Sequence, residues 1–221
     1  SSNLIANIFD TPLTYDYLAR PIKLIPNTLA AMPEITENGT LYTMRVKPGI
    51  YFADDAAFKG ARRELVAEDF VYSMKRLFDP KKKSPNLYQF EGQIVGMDEV
   101  LARARKANRM DYDAPAEGLR ALDRYTWQVR LKQPNYNFLY YLAYCNLTCA
   151  VAREVVEHYG DRTAEHPVGT GPFRLAFWKR SSKMVFEPNP NYREDLFDGT
   201  PPADDAAGQF ILSRLKGKRL P

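Results

Sequence analysis

The chain has 221 residues, of which 45% are hydrophobic and 13% aromatic, so it has enough apolar side chains to bury a core. Its net charge of +4, from 31 Lys and Arg against 27 Asp and Glu, is too small for this length to indicate a polyanionic partner. Sixteen prolines and twelve glycines favour short elements joined by turns over a long helical bundle. We therefore expect a mixed α/β chain of one or two domains.

Membrane-targeting segments are not expected within these residues. The longest apolar stretch, FLYYLAYC at 138–145, is far shorter than the roughly 18 residues that a membrane span needs. The sequence does not start with a charged and then apolar leader. We expect neither an anchor nor a signal here.

Two segments of the chain show strand-like alternation, and a third, near the N-terminus, is apolar. Residues 3–9 (NLIANIF) are apolar enough for a buried strand or a short helix. Residues 40–49 (TLYTMRVKPG) alternate in polarity, which predicts a strand that Pro48-Gly49 ends. Residues 123–134 (DRYTWQVRLKQP) repeat this alternation, and the two strands would fit one sheet. The predicted buried faces are Tyr42, Met44 and Val46 in the first strand, and Tyr125, Trp127, Val129 and Leu131 in the second.

Helical periodicity is clearest at 66–80 (VAEDFVYSMKRLFDP). Its acidic start and basic end suit the helix dipole, and Asp79-Pro80 stops it. The segment 97–109 predicts a second, more polar helix. The predicted buried positions are Phe70, Met74, Leu77 and Phe78 in the first helix, and Val100, Leu101 and Ala104 in the second.

The second half predicts shorter elements. Residues 135–143 and 152–160 are expected to be short helices, and Gly160 suits the C-terminal cap of the latter. Beyond them, RLAFW and KMVFEP predict two strands joined by the polar turn KRSS.

Cys145 and Cys149 are too few for a disulfide framework or a structural zinc site. In an extended segment their Cα atoms would lie about 13 Å apart, too far to be bridged. We expect two buried free thiols, which carry no information about the cellular compartment.

The segment HPVGTGPFRL at 166–175 has two glycines around a threonine, which raises the possibility of a phosphate-binding loop. Such loops need a lysine after the glycines or a third glycine that opens a helix. Here Arg174 stands in the sixth position, Pro172 removes a backbone donor, and a predicted strand follows. A bend between structural units is therefore favoured.

Catalytic signatures are sparse. The chain has two histidines, His158 and His166, without a third ligand at metal spacing, and no G-x-S-x-G segment. Ser213 and Lys216 match S-x-x-K, but the partner motifs are missing. We predict no catalytic residue, no metal and no cofactor, and we keep a hydrolase as an alternative from another class.

A polyanion-binding protein is a further alternative. Its candidate contacts are the basic residues Lys81, Lys82, Lys83, Lys216, Lys218 and Arg219. Aromatic side chains are not interleaved with them, so a solvated loop is favoured and no nucleic-acid partner is expected. The aromatic clusters elsewhere fit either a core or a ligand cleft; they are Tyr88, Phe90, Phe138, Tyr140, Tyr141 and Tyr144.

Taken in chain order, seven segments resemble one family, the oligopeptide- and dipeptide-binding proteins (extracellular solute-binding protein family 5) of bacterial ABC importers. The resemblance covers roughly residues 3–195. Several motifs in the same order as in a family are much stronger evidence for a resemblance than a single motif is. The segments are LYTMRVKPGIYFADD, AEDFVYSMKRLFDP, GMDEV, LDRYTWQVRLKQP, REVVEHYGD, GTGPFRL and FEPNPNY.

The chain departs from the family pattern before the first long helix. Asp55 stands where the family has glycine, AFKGARRE is inserted, and Val66 replaces the threonine that caps the helix. Loss of that cap would cost about 1 kcal/mol unless another residue substitutes.

The resemblance implies a periplasmic-binding-protein-like fold in which a small α/β domain is inserted into a first lobe. Residues 1–10 would belong to that lobe, residues 11–151 to the inserted domain, and residues 152–221 to an incomplete return into the lobe. Gly169 and Gly171 would supply backbone freedom and Pro172 rigidity where the chain crosses back. Family members are more than twice as long, so the second lobe would be missing from these residues.

The resemblance also implies a function, the capture of oligopeptides or dipeptides in the periplasm by a monomer that delivers them to the membrane permease of the importer. The signal for secretion would lie outside this sequence. Relatives that take up a nickel chelate, haem, a sugar or an antibiotic leave a non-peptide solute as an alternative. By position in the family, the ligand contacts would be Asn86, Leu87, Tyr88, Tyr144, Cys145 and Asn146.

Overall fold

The computed structural model describes residues 2–219, with side chains from Ile5 onward, and shows the predicted mixed α/β chain. In this range the helices are α1 (Ser2–Ile8), α2 (Ala67–Leu77), α3 (Met97–Ala107), α4 (Phe138–Tyr141), α5 (Cys145–Thr148), α6 (Arg153–Tyr159) and α7 (Ala206–Leu215). The strands are β1 (Leu13–Tyr15), β2 (Leu24–Pro26), β3 (Glu34–Thr36), β4 (Leu41–Arg45), β5 (Leu119–Ala121), β6 (Thr126–Arg130), β7 (Phe173–Lys179) and β8 (Lys183–Pro188). Over the same residues, every helix is too short or too polar to cross a membrane.

The largest sheet is antiparallel, with strand order β3-β4-β6-β5. Tyr42 of β4 lies opposite Val129 of β6, and Met44 lies opposite Trp127. These four side chains are buried on one face, as their alternation predicts. The expectation that the two alternating segments share a sheet is therefore confirmed.

Helix α2 covers this sheet and makes the centre of the core. Phe70, Met74 and Phe78 are buried along one side of the segment, and Phe70 stacks on Trp127 with ring centroids 5.2 Å apart. The predicted apolar stripe of this helix is confirmed. Leu77 lies at its edge and is partly buried against the same core.

The start of α2 compensates for its missing threonine. The Val66 N–H donates to the Asp69 carboxylate at 2.8 Å, which ties the helix start to its own first turn. Arg63, from the inserted segment, pairs with the other oxygen of Asp69 at 2.7 Å. Another residue has thus taken over part of the capping role.

Most of the remaining predicted elements are also found. Of residues 3–9, all but Phe9 lie in a helix rather than a strand. Helix α4 is shorter than the predicted segment, and α6 ends at Gly160 as expected. Strands β7 and β8 form an antiparallel hairpin across the polar turn. The short strands β1 and β2 form a separate antiparallel pair.

The prediction of two free thiols is wrong, because Cys145 and Cys149 form a disulfide. The segment is not extended: α5 winds one helical turn between them and brings their Cα atoms to 4.6 Å. A helical turn places residues four apart on the same side, whereas a strand separates them.

The Gly-Thr-Gly stretch lies where distant segments of the chain meet. The Gly171 N–H donates to the Ile8 carbonyl at 2.8 Å, and the Ala53 N–H donates to the Gly169 carbonyl at 2.9 Å. A Cβ at Gly171 would lie 2.7 Å from the carbonyl oxygens of both Asn7 and Ile8. A Cβ at Gly169 would collide with the Ile8 carbonyl.

The glycines are therefore required for close approach of two backbones, and their role at a bend between structural units stays a prediction. Neither glycine adopts the left-handed conformation that only glycine tolerates well. Pro172 follows, and its carbonyl accepts from the Asn189 N–H at 2.8 Å. The division into units at residues 1–10, 11–151 and 152–221 stays a prediction, and its ends at Ser1, Leu220 and Pro221 lie outside the described residues.

Candidate ligand-binding site

An open cleft of about 770 Å³ lies between segments from three distant parts of the sequence. Its wall is formed by residues in the ranges 6–17, 23–27, 143–146 and 192–200, with single contributions from Lys47 and Pro172. The first range includes β1, and the third includes the start of α5. The volume falls in the range of small-molecule sites.

Tyrosine rings give the cleft its apolar surface. Tyr15 and Tyr17 stand at the end of β1, and Tyr144 precedes α5 on the opposing segment. All three are exposed, with Tyr15 and Tyr144 at 47% and Tyr17 at 72%. Large exposed rings inside a concave site offer contact area at low entropic cost.

A buried ion pair forms the floor of the cleft. The Arg193 guanidinium donates to the Asp10 carboxylate at 2.7 Å and to the Asn27 side-chain carbonyl at 2.7 Å. The Thr170 hydroxyl donates to the same Asp10 oxygen at 2.9 Å. Burial opposes the charge of Arg193, but the Asp10 carboxylate outweighs it and raises the pKa of Arg193. The network joins the N-terminal segment, the Gly-Thr-Gly bend and the 192–200 segment.

A second carboxylate, that of Asp16, stabilises the rim of the cleft. Asp16 accepts from the Thr200 hydroxyl at 2.6 Å and from the Leu18 and Ala19 N–H groups at 3.0 and 3.2 Å. Burial raises the pKa of the Asp16 carboxyl, but the hydrogen bonds outweigh it, so the pKa is lowered overall. Both Asp10 and Asp16 are thus occupied by protein donors and fix the shape of the cleft.

Three of the six predicted contact residues, Tyr144, Cys145 and Asn146, lie together in the cleft wall. A fourth, Asn86, reaches them, because its side-chain amide donates to the Asn146 carbonyl at 3.4 Å. The Asn146 amide in turn donates to the Tyr144 hydroxyl at 3.1 Å. Hydrogen bonds therefore link Asn86, Asn146 and Tyr144, and the disulfide to Cys149 anchors Cys145 in the same turn.

The other two predicted contacts lie outside the described wall of this cleft. Leu87 packs against the main core, and Tyr88 is largely exposed, with its hydroxyl accepting from the Gln89 amide at 2.9 Å. A role for them in binding stays a prediction. Tyr15 and Tyr17 are not among the residues predicted from the sequence, although two tyrosines that flank one aspartate at the end of a short strand are a usable signal for a ring-lined rim.

A smaller cavity of about 320 Å³ adjoins the cleft. Phe9, Cys145 and Asn146 line both, so the disulfide-bonded turn is a wall between them. The far side of the smaller cavity is formed by the last turns of α2 and the loop that follows it.

The residues behind the alternative functions are placed elsewhere. His166 stacks on Tyr159 with ring centroids 3.8 Å apart, and His158 contacts the edge of the same ring. The Ser213 hydroxyl donates to the Phe210 carbonyl at 2.7 Å within α7. Lys81, Lys82 and Lys83 are exposed on a loop.

An open cleft with exposed rings, a rigid polar floor and walls from distant segments is typical of the class of proteins that bind small solutes. The comparison with protein families agrees with this class. The chain belongs to the bacterial extracellular solute-binding proteins, family 5, since the model of the family's middle region matches residues 23–207. The family consists of solute-binding proteins rather than enzymes.

Curated relatives come from several bacteria. The periplasmic oligopeptide-binding protein OppA of Salmonella typhimurium is 32% identical over 131 residues, which are 58% of this chain and 23% of that protein. The probable deoxycholate-binding periplasmic protein YgiS of Escherichia coli is 31% identical over 163 residues, 73% of this chain and 28% of that protein. The chain therefore spans about a quarter of the length of these relatives.

Solved structures confirm the periplasmic-binding-protein fold. Listeria monocytogenes OppA bound to peptide matches 86% of this chain with a TM-score of 0.69 and 21% identity, over 34% of its own chain. The oligopeptide-binding protein OppAIV of Borrelia burgdorferi matches 96% of this chain with a TM-score of 0.71 and 21% identity, over 41% of its own chain.

Proposed function

We propose that this chain forms part of the substrate-binding component of an ABC importer that captures oligopeptides or dipeptides in the periplasm. The observation that carries the proposal is the ring-lined cleft in a chain whose family is established over residues 23–207. Tyr144, Cys145 and Asn146 are its proposed contacts, and Asn86 positions Asn146 through their hydrogen bond.

The proposed binding mode is closure on the ligand. The cleft is open, and the relatives are more than twice as long as this chain. Affinity in such proteins comes from desolvating the ligand between two faces and from the shift of an open–closed equilibrium. The partners in this proposal are a peptide and the membrane permease, and the protein acts as a monomer without nucleic acid.

The disulfide supports the proposed periplasmic location. Disulfides persist in oxidising compartments such as the periplasm and are rare in the bacterial cytosol. The Cys145–Cys149 bridge lies in the cleft wall, where it fixes the turn that carries Asn146.

The division of the chain into lobe and inserted domain, as predicted from the sequence, is also part of the proposal. Residues 1–10 and 152–221 are assigned to the first lobe and residues 11–151 to the inserted domain. The support is the meeting of residues 7–10 with the Gly-Thr-Gly bend, through the Gly171–Ile8 and Thr170–Asp10 hydrogen bonds.

A non-peptide solute is the second candidate. The observation in its favour is the similarity to YgiS, which covers 73% of this chain against 58% for OppA. The tyrosine rings and few free charges of the cleft wall are compatible with a bile-acid skeleton as well as with a peptide.

Isothermal titration of the full-length gene product separates the two. Pooled di- to pentapeptides and deoxycholate are titrated in parallel, and the proposal expects heat with peptides. Tyr144→Ala should weaken peptide binding about 5- to 10-fold, the value of one aromatic contact. Tyr136→Ala, at a ring that is 92% exposed and outside the described cleft wall, is the matched control. Binding of deoxycholate with no response to any peptide would reject the peptide assignment and favour the second candidate.

A further inference from the structure

The smaller cavity beside α2 has an unbalanced charge. Arg76, in the last turn of α2, and Lys82, in the loop that follows, both line it. The hydroxyl of Ser84 adds a polar group, and among the residues described its wall includes no carboxylate. A concave wall that carries only positive charges attracts an anion.

Arg76 and Ser84 each have a donor in this cavity that is free among the described residues. The Nε atom of Arg76 is buried without a hydrogen-bond partner, and the guanidinium makes no ion pair within residues 2–219. Ser84 Oγ accepts from the Asn86 N–H at 3.2 Å, which leaves its proton for a ligand. Buried donors are nearly always paired in native proteins, so we expect the Arg76 Nε–H to have an acceptor from outside the chain, an anionic ligand or a water.

Neighbouring groups do not supply that acceptor. Asp79, the next carboxylate along the chain, already accepts from the Tyr112 hydroxyl at 2.7 Å and from the Lys81 N–H at 2.9 Å.

The cavity adjoins the proposed peptide site, because Phe9, Cys145 and Asn146 line both spaces. A ligand that extends from the cleft past these residues would enter the space that Arg76 and Lys82 line. We propose that the smaller cavity is an anion subsite, which receives a carboxylate of the peptide held in the cleft. This inference rests on the proposed function, because the carboxylate belongs to the captured peptide.

The test uses tripeptides that differ by one charge. Glu or Gln is placed at each position of an otherwise all-alanine tripeptide, and dissociation constants are measured by titration with the full-length gene product. The inference expects at least one position at which Glu binds about 10-fold or more tightly than Gln, as charge-assisted hydrogen bonds provide. Arg76→Gln and Lys82→Gln should abolish that preference while leaving the affinity for the Gln peptide within about twofold.

The controls separate charge from folding. Lys81→Gln removes a charge from the same loop outside the described wall of the cavity and should keep the preference. Arg76→Lys retains a cation and should keep part of it. Lys82 is exposed, so Lys82→Gln remains informative even where Arg76→Gln lowers the melting temperature.

Each outcome decides between the two proposals. Equal affinity for Glu and Gln peptides at every position overturns the anion subsite and leaves peptide capture intact. A preference that survives both Arg76→Gln and Lys82→Gln overturns it as well. Titration with inorganic phosphate distinguishes the source of the anion: binding of phosphate that depends on Arg76, with no binding of either peptide set, rejects peptide capture and replaces the peptide carboxylate by a free anion.

Discussion

The buried pair of Asp10 and Arg193 gives the sharpest prediction about stability. Their side chains are 8% and 10% exposed, and the N–O distance is 2.7 Å. Asp10→Asn keeps the shape of the side chain but leaves the Arg193 charge buried without its counterion. Breaking such a pair costs about 3 to 5 kcal/mol. Thr170 can still donate to the amide oxygen of the new side chain, so we expect the lower end, about 3 kcal/mol.

A double-mutant cycle isolates the interaction. Arg193→Met removes the charge together with its need for a partner, so Asp10→Asn combined with Arg193→Met should lose clearly less stability than the two single losses summed. We expect a coupling of about 2 kcal/mol. The assay is urea unfolding followed by far-UV circular dichroism, with free energies extrapolated to water.

An exposed pair provides the control for this cycle. Arg174 and Glu187 pair at 2.6 Å across the β7–β8 hairpin, with side chains 38% and 45% exposed. Glu187→Gln should cost no more than about 1 kcal/mol. A cost of less than about 1 kcal/mol for Asp10→Asn would refute a stabilising role of the buried pair. So would a loss of unfolding free energy in the double variant that equals the sum of the two single losses.

Three further predictions address other parts of the wall. Replacing Cys145 and Cys149 by serine should cost about 2 kcal/mol for a five-residue loop, and dithiothreitol should lower the melting temperature of the wild type alone. Gly171→Ala should cost about 2 kcal/mol in urea unfolding because its Cβ meets two carbonyl oxygens at 2.7 Å; unchanged stability would contradict this. The lowered pKa of Asp16 adds stability that is present above the unfolded pKa of about 3.9 and is lost as pH falls through the folded pKa. Asp16→Asn should therefore flatten the fall in stability below about pH 4. Parallel curves of unfolding free energy against pH for the wild type and the variant would exclude the effect.

Elements with a strong period could be predicted from the sequence. The alternation at 40–49 and 123–134 identified both central strands and their buried faces, because a half-buried strand must alternate. The charges and Asp79-Pro80 around α2 identified its ends to within a few residues. Strands β1 and β2 contain only three residues each, too few for a period to be recognised.

The candidate site depended on contacts that no local pattern encodes. Asp10 and Arg193 are 183 residues apart, and only the folded chain brings them together. The disulfide was not predicted for a different reason: the distance between the two cysteines depends on whether the segment between them is helical or extended. The spacing of four between Cys145 and Cys149, next to a predicted short helix, was the available signal.

The wall that separates the cleft from the smaller cavity is held from both sides. The disulfide closes the α5 turn, the Asn86–Asn146 hydrogen bond ties that turn to the loop after α2, and the Asp10–Arg193 pair fixes the opposing N-terminal segment. A ligand that binds such a wall spends little of its interaction energy on ordering side chains. Affinity changes from Tyr144, Arg76 or Lys82 variants should therefore report direct contacts with the ligand, whereas variants of Asp10 or the cysteines should weaken all ligands together.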